Sequence, residues 1–383
     1  MFSKLIEFIR AQYQTTEFIP LHAPIFSGRE EEYVADTIRS TFVSSVGAYV
    51  DRFENDMAKY TGAEKAVAVV NGTAALHAAL KLAGVQQGDL VITQPLTFVA
   101  TCNAIQYCGA EPVFVDVDLD TMGLSPSATE VWLLENAQLD SQGVCRLKSD
   151  RRAIRACLPM HTFGHPVKLD ELIQVCMRWN IILVEDAAES LGSYYKGRHT
   201  GTFGLLGTLS FNGNKVMTTG GGGMILTNAE LGTKAKHLTT TAKRPHPYEF
   251  VHDEVAYNYR MPNLNAALGC AQLEQLDVFV SAKRKLAQNY AEFLSDSELS
   301  FFSEPENCKS NYWLNAVICE NASQRDALLK ATNDRAVMTR PIWTLMNKLP
   351  MYQHCSKDNL RNSEWLETRV VNLPSSVTSG VFQ

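Results

Sequence analysis

Three features of this 383-residue chain could do chemistry together: an amine at Lys215, a carboxylate at Asp186 and a turn at Asn71-Gly72-Thr73. Lys215 lies in LSFNGNKVMTTGGGGMI (209–225), where a run of four glycines follows it. Small neighbours let a flat ring and a substrate approach closely. An amine beside a packed, partly desolvated ring can lose its proton and act as a nucleophile. A single loop lysine is more often just solvated. Asp186 closes the apolar strand of IILVEDAAES (181–190), where a carboxylate is costly unless a cation or a donor satisfies it. VVNGTAAL (69–76) reads as strand, turn and helix, so free backbone N–H groups and the helix dipole face any anion placed there. A carboxylate to keep a pyridine nitrogen protonated, an amine further along and a phosphate cradle are together what pyridoxal phosphate requires. Phe98, in PLTFVATCN (95–103), is placed to lie over one ring face, with core packing as the competing use.

These groups need a scaffold, and apolar runs alternate with helical periodicity from about residue 60. Strands are expected in KAVAVV (65–70), DLVIT (89–93), PVFVDV (112–117), AIRACLPMH (153–161) and IILVEDAAES. Helices are expected in TAALHAALKLAG (73–84), with Thr73 as cap and glycine as stop, in TFVATCNAIQYCG (97–109) and in KLDELIQVCMRWN (168–180). GTLSFN and GGMILTN read as two short strands flanking the lysine loop, and 120–150 is a polar interval. The alternation predicts an α/β fold, a mostly parallel central sheet flanked by helices, with ligands at strand-end loops. After residue 250 a long helical pattern (263–294) leads into mixed segments. The length suggests two domains: 1–250, large and cofactor-binding with an N-terminal helical segment, and 251–383, a smaller α+β domain.

With 45% hydrophobic and 20% charged residues the chain is globular rather than disordered, and its formal charge of −6 argues against nucleic-acid partners. Nine cysteines, none paired at CxxC spacing, indicate neither a zinc site nor a disulfide framework; reduced thiols and a cytoplasmic location follow. MFSKLIEFIRAQYQ reads as an amphipathic helix rather than a signal peptide, and no run suits a bilayer span. Without a secretory signal, the NGT and NAS triplets are chance matches to the glycosylation pattern.

NGTAALHAAL, TFVATCNAI, EPVFVDVD, MHTFGHP, VEDAAES, SFNGNKVMTTGGGGMI and AYNYRMPNLNAALG, in that order, resemble the DegT/StrS-type nucleotide-sugar aminotransferases over about residues 20 to 375. The resemblance implies the aspartate-aminotransferase-like fold (type I of the pyridoxal phosphate enzymes) and pyridoxal 5'-phosphate as cofactor. It implies Lys215 as the Schiff-base lysine and Asp186 as partner of the pyridine nitrogen. Gly72, Thr73 and Ser210 match phosphate-binding positions, and Phe98 the stacking aromatic. Glu189 stands near the ring oxygen, where relatives often carry Gln. Asn258 matches a residue that reaches the other subunit's phosphate, which implies an obligate homodimer with shared sites. His161 matches a motif histidine near the active site. Gly221 replaces a glutamate common in relatives, adding room beside Lys215. Dehydrating sister enzymes carry His at the lysine position, so Lys215 implies amino transfer, with L-glutamate as donor and the lysine shuttling a proton as base and acid.

The opening IPLHAPIFSGREEEYVADTIRSTFVSSVGAYVDRFE, the TTGGGG form and NLPSSV most resemble the branch acting on UDP-linked 4-keto-6-deoxy-N-acetyl sugars. That implies amination at C4 to UDP-4-amino-4,6-dideoxy-N-acetylglucosamine, used for bacillosamine, legionaminic acid and surface polysaccharide or lipopolysaccharide. Ser45, Gly47, His161 and Arg340 are the candidate substrate contacts, Arg340 as a bidentate fork for the diphosphate. GDP-perosamine-type and dTDP-sugar aminotransferases are the alternatives. A pyridoxal phosphate-binding regulator is a remote one, since no helix-turn-helix pattern accompanies the negative charge.

Overall fold

In the computed structural model, which describes residues 2–378, the apolar runs bounded by turn residues pair into a seven-stranded sheet. Its order is Lys65–Val69, Gly223–Thr227, Leu206–Ser210, Ile182–Asp186, Ile154–Leu158, Leu90–Thr93 and Glu111–Phe114. Gly223–Thr227 is antiparallel to both of its neighbours, and the other neighbouring pairs are parallel. The reversal has a local cause. The lysine loop turns straight back from Ser210 to Gly223, with no crossover helix to return the chain in parallel. Strands such as Leu90–Thr93 and Leu206–Ser210 are buried along their whole length, as expected of a sheet covered on both faces.

The helix after the first strand spans Gly72–Leu82, and its cap is Asn71, whose side chain accepts from the Ala74 N–H at 2.8 Å. Thr73, expected as the cap, is already inside the helix. The polar interval holds a helix, Pro126–Asn136, capped by Ser125, and a strand pair, Ala137–Leu139 with Cys145–Leu147. The pattern at 263–294 divides at Glu274 and Gln275 into the helices Asn263–Leu273 and Leu276–Leu294.

A second sheet, all antiparallel, orders Ser300–Phe301, Asn315–Ile318, Val370–Leu373 and Arg340–Pro341. Elements from both sides of residue 250 pack together. The helix Phe2–Tyr13 buries Leu5, Ile6 and Ile9 in one apolar cluster with Leu286, Tyr290 and Val317 from the C-terminal elements. The stretch just past 250 stays with the large sheet, where the Val70 N–H donates to the Tyr259 carbonyl at 2.8 Å. Residues 379–383 of the expected second domain lie outside the described residues.

Candidate active site

Loops at the carboxyl ends of the parallel strands meet the C-terminal elements around a cavity of about 390 Å³. Its lining includes Gly72, Thr73, Phe98, Asp186, Glu189, Ser210 and Lys215, residues separated in sequence by up to 143 positions (215 − 72). At one end stand the Gly72 and Thr73 N–H groups at the start of Gly72–Leu82, which no carbonyl of that helix can reach. Gly72 is required there, because a Cβ would stand 2.8 Å from the Ser210 Cβ and 3.1 Å from its hydroxyl. Phe98 ends the loop before the helix Val99–Tyr107 with its ring half exposed at the cavity wall.

Asp186 is buried at the end of its strand. Its Oδ2 accepts from the Thr101 hydroxyl at 2.7 Å, and its Oδ1 from the Ala188 N–H at 3.2 Å. Burial raises this carboxyl above its ordinary range, against the lowering effect of those donors and of Lys215. A cationic partner in the cavity would favour the ionised form.

Lys215 is 11% exposed, with its Nζ 3.3 Å from Glu189 Oε1 and 4.0 Å from the centre of the Trp313 ring. The other Glu189 oxygen accepts from the Phe163 N–H at 2.9 Å, at a residue with φ of 56°. Burial pushes the Glu189 carboxyl up to about 7, with Lys215 and the Phe163 N–H acting in the opposite direction.

The glycine run serves two purposes. A Cβ on Gly221 would meet nothing closer than the Val70 carbonyl at 4.0 Å, so that position does leave room. A Cβ on Gly223 would lie 2.4 Å from the Asn71 carbonyl oxygen, so here the glycine lets two backbones touch. Part of the run is therefore a packing requirement rather than open space.

Five expected residues fall outside the cavity lining. His161 is fully enclosed, its Nε2 3.0 Å from Glu185 Oε2, away from the cavity lining. Burial alone would raise Glu185, but His161 and the Gly201 and Gly204 N–H groups outweigh it and hold the carboxyl below its usual range. His161 braces the strand beneath Asp186, to whose carbonyl its own N–H donates at 3.1 Å. Gly47 packs on Asn263, with 2.2 Å from an added Cβ to Asn263 Cγ, and Ser45 is half-buried two residues before it. Asn258 is exposed beside Arg260. Arg340 is exposed on its short strand, paired with no carboxylate among the described residues.

Sequence reasoning missed Trp313 and Trp343, the cavity residues supplied by the C-terminal elements. Trp313 is buried and donates Nε1–H to the Asn214 carbonyl at 2.6 Å. Trp343 lies 5.1 Å from the Phe163 ring. The one available signal was the scarcity of tryptophan, five in the chain, with Trp343 only three residues past the suspected Arg340.

Residues 24–379 match the DegT/DnrJ/EryC1/StrS aminotransferase family. The GDP-perosamine synthase of Escherichia coli O157:H7 is 36% identical over 360 residues, covering 94% of this chain and 93% of that protein. The GDP-perosamine synthase of Vibrio cholerae is 34% identical, with 93% and 94% covered. Among solved structures, the aminotransferase TlmJ from Streptoalloteichus hindustanus superposes with a TM-score of 0.84 at 28% identity, covering 94% of this chain and 93% of that one.

Proposed function

This chain belongs to the DegT/DnrJ/EryC1/StrS aminotransferase family, and we propose that it transfers an amino group from L-glutamate to the keto carbon of a GDP-linked 4-keto-6-deoxy sugar. It is a nucleotide-sugar aminotransferase dependent on pyridoxal 5'-phosphate. The GDP acceptor replaces the UDP-linked N-acetyl sugar as the main reading, because two relatives matched over more than nine-tenths of their length are GDP-perosamine synthases. The observation that carries the enzymatic role is Lys215 and Asp186 in one cavity with the anion cradle at Gly72, Thr73 and Ser210.

The residues present fit the cofactor. The phosphate would sit against the backbone N–H groups of the helix start and the Ser210 hydroxyl, where Gly72 leaves space a Cβ would fill. Asp186, oriented by Thr101, would hold a proton on the pyridine nitrogen. Phe98 would cover one ring face. When bound, the cofactor supplies an electron sink that stabilises negative charge at the amino-bearing carbon. Lys215 would hold and move the proton at that carbon, acting first as base and then as acid.

Trp313 and Trp343 offer apolar walls suited to a deoxy sugar. Arg340, paired with no carboxylate among the described residues and three residues before Trp343, would reach a diphosphate extending outward. A second copy of the chain would cover the segment around Asn258, where Tyr248, Phe250 and Val255 are 80%, 79% and 92% exposed, which supports the homodimer. A cytoplasmic site of action is consistent with nine free cysteines and with no described helix long and apolar enough to cross a membrane.

The test offers the purified protein glutamate and a panel of GDP-, UDP- and dTDP-linked 4-keto-6-deoxy sugars, with products identified by mass spectrometry and NMR. Turnover of the GDP member at least tenfold above the others is expected. Preferential turnover of a UDP member would restore the N-acetyl sugar reading. Arg340→Ala is expected to raise KM for the nucleotide sugar roughly tenfold with kcat nearly unchanged, the pattern of a lost uniform binding contact.

A further inference from the structure

A second cavity, of about 880 Å³, shares no lining residue with the first. One wall is a stripe of the helix Leu276–Leu294, where Asp277, Ser281, Arg284, Lys285 and Gln288 recur at helical spacing. Another is built by the short antiparallel strands Tyr194–Tyr195 and Cys308–Lys309, and the half-buried rings of Tyr60 and Tyr194 belong to the lining. Both carboxylates of the lining are engaged within it. Glu304 accepts from two Arg284 guanidinium nitrogens at 2.6 and 2.9 Å and from the Ser310 N–H at 2.7 Å. Asp277 accepts from the Tyr60 hydroxyl at 3.0 Å. Lys285 and Lys309 remain, paired with no carboxylate among the described residues, and the Lys309 amine stands 5.8 Å from the centre of the Tyr194 ring.

We propose that this cavity binds a nucleoside diphosphate, alone or as the head of a nucleotide sugar, with Lys285 and Lys309 on the phosphates and the rings of Tyr60 and Tyr194 against the base. The volume is that of a small-molecule site. Arg284, Lys285 and Lys309 outnumber Asp277 and Glu304, a local inversion of sign in a chain of formal charge −6. Two amines from different elements suit an anion extended over two phosphates. Aromatic faces beside them suit a planar base, which stacks on tyrosine whatever its identity. Asn311 ties this wall to the active cavity. Its Nδ2 donates to the Glu189 and Leu191 carbonyls at 2.9 and 2.8 Å, and its Oδ1 accepts from the Trp313 N–H at 2.8 Å. An occupant seated against Tyr194 and Lys309 would therefore be felt at Glu189 and Trp313. That consequence for turnover rests on the aminotransferase reading; the binding site does not.

The test reads the two lysines directly. The full chain is acetylated with N-hydroxysuccinimidyl acetate, and the rates at Lys285 and Lys309 are followed by peptide mass spectrometry, with exposed Lys4 and Lys330 as controls. The probes, at millimolar concentration, are GDP, UDP, a GDP-linked sugar, guanosine and inorganic phosphate. GDP or UDP should slow acetylation at both lysines about fivefold or more, as mass action gives for an occupied site, with Lys4 and Lys330 unaffected. Guanosine and inorganic phosphate should each protect far less. Equal protection by the GDP-linked sugar identifies the nucleotide head as the ligand's source, and protection by GDP alone identifies the unconjugated diphosphate. Lys309→Glu, its fold verified by circular dichroism and melting temperature, should need roughly tenfold more GDP to protect Lys285. Arg340→Ala, at the other cavity's margin, should leave that protection unchanged. No protection by either diphosphate, equal protection by inorganic phosphate, or an unaltered GDP requirement in Lys309→Glu overturns the proposal. Failure of every sugar in the turnover panel with protection as expected would discard the acceptor and leave this site standing.

Discussion

The chain buries two lysines in different ways. Lys215 borders a cavity, with a carboxylate on one side and an indole face on the other. Lys283, on the helix Leu276–Leu294, is wholly enclosed, and its amine donates to the Ser375 carbonyl with no carboxylate beside it among the described residues. Burial pulls the Lys283 amine down to about 7. A depressed, sequestered amine is thus present in the C-terminal half, with no exposed surface. Desolvation by itself does not make a reactive lysine; a counter-charge and space for a ligand set Lys215 apart from Lys283.

The largest expected effect breaks the pair apart. Lys215→Ala should lower amino transfer by about a thousandfold or more, measured as product formed per unit time, because the proton shuttle is removed. Lys283→Met should leave that rate within about twofold. Comparable losses from the two substitutions would mean that the distant lysine also reaches the reaction.

Much of this contrast was legible in the sequence, but only on one side. Lys215, Asp186, Ser210 and the Asn71-Gly72-Thr73 turn all sit where a periodic segment ends, and local pattern locates such ends. Trp313 and Trp343 lie in short mixed segments whose relation to the cavity is set only when the second sheet docks. The same limit hid Lys283, since the helix 276–294 shows which face is apolar but not how deep it sinks. The reversed strand Gly223–Thr227 escaped for another reason: an apolar run carries no sign of its direction. That His161 pairs with Glu185 behind the strand of Asp186 was equally hidden, since a motif histidine next to such a strand is suited to either side of it.

Next in size is the pH dependence of stability in the cofactor-free protein, to which the two sites contribute with opposite slopes. Between about 4.5 and about 7 the folded chain retains a proton on Glu189 that the unfolded chain has released, so stability falls as pH rises. Between about 7 and 10.5 the unfolded chain holds a proton that folded Lys283 has lost, so stability rises with pH. Urea unfolding across this range should show both limbs, with Glu189→Gln flattening the first and Lys283→Met the second. A variant that flattens the wrong limb would reverse the assignment of burial costs.

The smallest effect sharpens the contrast at fixed pH. Lys283→Met should raise the unfolding free energy at pH 7 by about 1 kcal/mol, because an apolar side chain of similar length replaces an amine that burial strips of most of its hydration. Lys215→Met would give a comparable gain only if Glu189 became protonated, and a loss if its charge were left stranded.

Gly223 pressed against the Asn71 carbonyl oxygen joins the strand behind the Lys215 loop to the turn Asn71-Gly72-Thr73. Those two parts form one mechanical block, while the tryptophans opposite hang from a different sheet. New sugar preferences can therefore arise by remodelling one wall of the cleft, with the nitrogen-handling half inherited intact.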